Sequence, residues 1–193
     1  SREGSVVDAD ELISSMINKA KVISDTLGKI NDLVDSEKKQ LYKTIALGAL
    51  KYHILKVDPK KKILFNPEES IDFNGNTGPF IQYTYARIKS ILNKNRNTTY
   101  EFNELKLAQK EKELIILLCE FKNILKNSVK TLNPSLIANH IYEVVKLYNS
   151  YYQTHTILGN KNINSFRVYL SEKVAMQIEK SMGLLGISVP NRM

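Results

Sequence analysis

The sequence predicts an all-α protein, a single helical bundle preceded by a short helical segment. Three observations carry this. Apolar residues recur at spacings of three and four along most of the chain. Asp, Ser, Asn-Pro and Gly residues stand where those stretches begin and end. The strand–helix alternation of a parallel sheet is absent. A hydrophobic fraction of 42% with 25% charged residues suits a folded domain and not a disordered one, and 193 residues suffice for one ordinary core with a small appended element.

The first helix is capped by Asp8 or Asp10 and runs through Leu12, Ile13, Met16, Ile17, Ala20 and Ile23, with Gly28 closing the turn after it. A second starts at Asp35-Ser36, carries Leu41, Ile45, Leu47, Ala49, Leu50 and Ile54, and stops at Asp58-Pro59. From Lys60 to Ser70 the short Ile63-Leu64-Phe65 run followed by Asn66-Pro67 reads as an extended connector, and a boundary between two parts is placed there. Helix resumes at Thr77-Gly78-Pro79, where a first-turn proline costs no hydrogen bond, and continues to about Asn93. Periodicity gives three more helices, over 104–128, 134–153 and 161–184, with Asn133-Pro134 opening the second and Gly183 and Gly186 near the end of the third. Phe166, Leu170, Val174, Ile178 and Met182 fall at steps of four and read as a core stripe.

Several function classes are set aside. No apolar run approaches the roughly 18 residues that span a bilayer, so no membrane partner is expected. Cys119 is the sole cysteine and follows Leu114-Ile115-Ile116-Leu117-Leu118, so it is expected to be a buried helical thiol. His53, His140 and His155 are far apart and form no metal-ligand spacing, hence no metal site and no bound cofactor are expected. The acid groups Glu68-Glu69 and Asp8/Asp10/Glu11 stand at helix starts, where capping explains them. Gly75-x-x-Gly78 alone implies a tight turn, not a phosphate loop.

Charge points toward an anionic partner. The net charge is +8, and it is uneven: 66–85 hold three acids and no base, while 86–130 hold ten Lys or Arg against five Glu. On the helix from Thr77, Tyr83, Arg87, Ser90 and Lys94 share one face, beside an apolar face of Ile81, Tyr85, Ile88 and Leu92. Cations interleaved with an aromatic suit RNA, where the cation meets phosphate and the ring stacks on an unpaired base, although a solvated helix face has the same pattern. Tyr148, Tyr151, Tyr152 and His155 form a second aromatic cluster, more than core packing alone explains.

The stretch from Phe65 to Ile88, with its Thr77-Gly78-Pro79, Gln82-Tyr83 and Ala86-Arg87-Ile88 pieces, closely resembles the opening of the DALR-type anticodon-binding domain of arginyl-tRNA synthetases. Leu185-Gly186-Ile187 and the final Arg192-Met193 resemble that family's terminus, so the natural C-terminus is expected here. Ala49-Leu50-Lys51-Tyr52 resembles its linking helical segment. Ser1-Arg2-Glu3-Gly4, followed by Val6 to Leu12, resembles the sequence just after the first part of the class I KMSKS-type loop, and the natural chain is expected to extend upstream.

The resemblance implies a helical bundle of the class I synthetase anticodon-binding type over 66–193, after a loop end and helical linker over 1–65. It implies a cytoplasmic monomer that binds the anticodon arm of tRNA(Arg), as part of an enzyme that attaches arginine using ATP and Mg. No HIGH-type motif and no complete KMSKS set is present, so the chain alone is expected to be inactive, with Ser1 and Arg2 as ATP-loop remnants. The implied tRNA-binding residues are Gln82, Tyr83, Arg87, Tyr151, Tyr152, Arg192 and Met193. The tyrosines would stack, Arg87 would pair with phosphate and Met193 would make an apolar base contact. Two alternatives stay open: Arg87 capping a neighbouring helix, and Gln82 bonding to backbone across the bundle. A helical scaffold whose basic face docks an acidic protein is the rival function.

Overall fold

The structure, a computed structural model of the chain, describes residues 8–27, 30–94, 106–158 and 161–193. Ser1 and Arg2 of the expected ATP-loop remnant, and Gly28, lie outside the described residues. Among the described residues there are seven helices and no strand: α1 Ala9–Leu27, α2 Asp35–Leu55, α3 Pro67–Ser70, α4 Gly78–Lys94, α5 Gln109–Thr131, α6 Ser135–Thr154 and α7 Lys161–Leu184.

Local chemistry sets the ends. Asp8 caps α1, its Oδ1 accepting from the N–H groups of Asp10 at 2.8 Å and Glu11 at 3.3 Å. The connector expectation fails at its end, because 67–70 are helical. Asn66 Oδ1 accepts from the N–H groups of Glu68 and Glu69 while Pro67 takes the first-turn position, so the Asn-Pro pair starts a helix where it reads as a breaker. Helix α5 begins at Gln109 and not at 104, since 106–108 are not helical and the Glu111 carboxylate holds the Ala108 N–H at 2.7 Å. It ends at Thr131, where Leu132 turns left-handed with φ 51°. Asn133 opens α6 by accepting from the N–H and hydroxyl of Ser135.

Packing runs α1 on α2, α2 on α4, α4 on α7, and α6 between α5 and α7. The larger core is built mainly from α4 to α7, with Ile81, Ile88, Leu114, Ile141, Val144, Tyr148 and Ile178 buried and Tyr52 reaching in from α2. The expected α7 stripe faces it: Leu170, Val174, Ile178 and Met182 are buried and Phe166 packs alongside. A second core joins Met16 and Ala20 of α1 to Leu41, Tyr42, Ile45 and Ala49 of α2, together with Ile71, Ala86 and Met193.

Cys119 is exposed, which corrects the expectation of a buried thiol. The apolar run preceding it is wider than the buried stripe of α5, which passes through Leu114 and Phe121, and Cys119 falls beyond it, on the rim of an apolar groove with Ile115, Phe166 and Met176. Among the described residues, no helix is long and apolar enough to cross a membrane, and no group of His, Cys, Asp and Glu is arranged to hold a metal.

Candidate nucleic-acid interface

Helix α4 is placed by its first turns. Thr77 Oγ1 caps it, accepting from the Phe80 N–H at 3.2 Å. Gly78 then lies so close to α2 that a Cβ there would sit 2.4 Å from the Gly48 carbonyl oxygen, so this crossing admits no side chain at Gly78. One turn later Gln82 is buried. Its Nε2 donates to the Thr44 carbonyl of α2 at 3.1 Å and to the Ser188 carbonyl of the C-terminal tail at 2.8 Å. Of the two readings open for Gln82, backbone bonding across the bundle is the one seen. Lys51 Nζ holds the same tail through the Gly186 carbonyl at 2.7 Å.

The tail is thereby laid beside the polar face of α4. Tyr83, Arg87, Ser90 and Lys94 line one cleft, of about 540 Å³, together with Tyr152, Leu158 and Asn191-Arg192-Met193. Met193 is 8% exposed and belongs to the second core, so it forms the apolar floor. Arg192 is exposed and donates to both carboxylate oxygens of Asp32, at 2.8 and 2.7 Å. That hydrogen bond holds the Asp32 carboxyl below its ordinary range. The lining cations are Arg87, Lys94 and Arg192, and no Asp or Glu is among the described residues that line the cleft. A cleft of that sign attracts anions.

Arg87 is its most constrained member. The guanidinium carbon lies 4.8 Å from the centre of the Tyr83 ring and 5.2 Å from that of Tyr152, within cation–π range of both. Nη1 donates to Asn149 Oδ1 of α6 at 2.7 Å, a side-chain contact and not a helix cap. Tyr83 also meets Phe73 edge-on, with ring centres 6.0 Å apart.

The tyrosine pair on α6 divides. Tyr152 is 38% exposed in the cleft wall, whereas Tyr151, one residue earlier and 100° around the helix, is fully buried. Its hydroxyl donates to Glu111 Oε1 at 2.9 Å, and burial pushes its ionisation far above the ordinary value. Glu111 also takes the Arg167 guanidinium at 3.0 Å in a nearly dry ion pair, and Arg167 Nη1 donates to the Thr156 carbonyl. His155 stacks on Tyr151 at 4.7 Å. This network fixes the chain that leaves α6, along the edge of the cleft.

Five of the seven residues expected to touch RNA, Tyr83, Arg87, Tyr152, Arg192 and Met193, therefore meet in one cleft. Tyr151 and Gln82 lie behind it, with the Tyr151 hydroxyl and the Gln82 amide nitrogen spent on the protein itself. Sequence reasoning missed Asn149 and Asp32. An Asn between the buried Val145 and Tyr148 on one side and Tyr152 on the other is a detectable signal, since helix interiors disfavour Asn. Asp32 lies in the turn before α2, between the core residues Ile30 and Leu33, and only the folded tail brings Arg192 to it.

The family model of the DALR anticodon binding domain matches residues 81–193. Arginine–tRNA ligase of Flavobacterium psychrophilum is 54% identical over 195 residues, covering 100% of this chain and 32% of that protein. The arginine–tRNA ligase of Phocaeicola vulgatus is 50% identical, over 100% of this chain and 33% of its own. Among solved structures, Thermus thermophilus arginyl-tRNA synthetase matches with a TM-score of 0.87 at 26% identity, over 97% of this chain and 32% of that one. The chain thus spans about a third of the length of the relatives it matches.

Proposed function

The chain belongs to the DALR anticodon-binding domain family, and on that premise we propose that it holds the anticodon arm of tRNA(Arg) for an arginine–tRNA ligase. The observation that carries this reading is the cleft itself: three cationic side chains, two half-open tyrosines and an apolar floor, with no Asp or Glu among the described lining residues. Phosphate is met by the guanidinium groups and Lys94, an unpaired base stacks on Tyr152 or Tyr83, and Met193 supplies an apolar contact beneath it. Tyr151 and Gln82 serve by placing the wall and the tail. The family match favours RNA over an acidic protein as the partner.

In that role the contribution to catalysis is positioning. The whole ligase activates arginine with ATP and Mg and transfers it to tRNA, while this chain by itself makes no arginyl-tRNA. We place the boundary between the linking segment, 1–65, and the anticodon-binding bundle, 66–193, and read the protein as a cytoplasmic monomer. Ser1 and Arg2 are assigned to the ATP loop.

The test is filter binding of the chain to tRNA(Arg) and to a non-cognate tRNA across a salt series. Preferential binding is expected, falling as salt rises, and weakened by Arg87→Ala or by deletion of Met193. Equal affinity for both tRNAs would overturn the anticodon-reading role.

A further inference from the structure

Three arginines fall among the described residues, and they are held in two different ways. Arg167 is paired with Glu111 and Arg192 with Asp32, each by a carboxylate. Arg87 has no carboxylate within ion-pair distance among the described residues. It is held by a neutral acceptor, Asn149 Oδ1 at 2.7 Å, and by the faces of two tyrosines.

The orientation of that acceptor is fixed by the network behind it. The Val145 carbonyl can only accept, and it lies 3.0 Å from Asn149 Nδ2. Thr84 donates its hydroxyl hydrogen to the Phe80 carbonyl at 2.9 Å, so its oxygen accepts from the same Nδ2 at 2.8 Å. Both amide donors are therefore spent, and Oδ1 is the atom presented to Arg87. One nitrogen of the guanidinium is tied down in this way while its charge stays uncompensated. Both properties suit a group that must meet an anion at a set place.

We infer that Asn149 is a positioning residue for the cleft: it orients Arg87 without neutralising it, so that the remaining guanidinium N–H groups face an RNA phosphate. The inference rests on the RNA-binding reading of the cleft, and its test separates the two. In solution, with no RNA present, the Arg87 Nε–H group is followed by 15N relaxation in the 193-residue chain. It is ordered in the parent and mobile in Asn149→Ala. Equal order in both would overturn the inference whatever the cleft binds.

The second arm is a double-mutant cycle of Kd for tRNA(Arg). Asn149→Ala weakens binding about fivefold or more, and adds no further loss once Arg87 is alanine. Asn149→Asp keeps an acceptor but supplies a compensating charge. It lowers the salt dependence by about 0.7 to 0.9 in slope, the share of one phosphate contact. Independent, multiplying losses in the cycle, or an unchanged slope for the Asp variant, would overturn the inference. Absence of tRNA binding by the parent chain would instead overturn the reading of the cleft, leaving the relaxation result to decide the role of Asn149. Asn149 is only half-buried, so the variants are expected to fold, with circular dichroism as the check.

Discussion

The two hydrophobic cores differ in how far along the chain their parts are gathered. The larger is drawn from consecutive helices, α4 to α7, with Tyr52 as an outlier. The second joins Met16 and Leu41, near one end of the sequence, to Met193 at the other. The cleft lies at the seam between them. Tyr83 and Met193 pack on the second core, whereas Ile91 belongs to the larger and Tyr152 follows Tyr151 out of it. A bundle assembled from neighbouring helices gives a firm wall, and a tail returning from the end of the chain completes the opposite side. The site thus depends on both cores, but each can be disturbed separately.

The most severe break falls on the larger core. Glu111→Gln strands the Arg167 guanidinium beside Tyr151 and is expected to cost about 3 kcal/mol, as breaking a buried pair does. Urea unfolding measures it, and a loss well under 1 kcal/mol would mean that the pair does not close this end of the bundle.

At the crossing that joins the two cores, Gly78→Ala drives a methyl group into the Gly48 backbone, which cannot swing aside, and should cost about 1 to 3 kcal/mol. Gly183→Ala is the control: it lies in α7 with nothing within 4 Å of the new Cβ, and should be neutral or gain about 0.5 kcal/mol.

Met193→Ala addresses the second core alone. The loss of stability should be at most about 2 kcal/mol, the low end for a truncated Met, because the end of a chain can settle into the space. Binding to tRNA(Arg) should weaken at the same time. A variant that loses stability but keeps full affinity would detach the floor of the cleft from recognition.

The smallest effect is one of pH, and it sharpens the comparison because it belongs to the larger core side. His140 stacks on Phe121, and burial pushes its imidazole below the ordinary 6.5, against the opposing pull of Glu120. The folded protein then binds this proton less readily than the unfolded chain. Its contribution is complete above about pH 6.5 and is lost as pH falls toward the lower folded value. The thermal midpoint should drop between pH 7.5 and 5.5, and drop less in His140→Phe.

The helices were legible because their apolar stripes repeat cleanly. The α7 stripe from Phe166 to Met182 and the α4 face of Ile81, Tyr85 and Ile88 were readable in full. Runs without a check on phase misled. Cys119 follows five apolar residues, yet the buried stripe of α5 had already turned past it. Asn66-Pro67 reads as a stop until the Asn side chain is seen to cap. At the site, the face carrying Tyr83 and Arg87 was visible in the spacing. The choice between Tyr151 and Tyr152 was not, since a rotation of 100° decides it and both are tyrosine. Asp32 could not be found at all, because its partner is 160 positions away.

The exposed thiol on α5 has a practical consequence. Cys119 is the single cysteine of the chain, and its groove shares no lining residue with the cleft. One equivalent of a maleimide dye would yield a uniformly labelled protein without a background mutation. The fluorophore would tumble with the bundle, and its anisotropy would rise when a tRNA docks at the cleft and slows that tumbling.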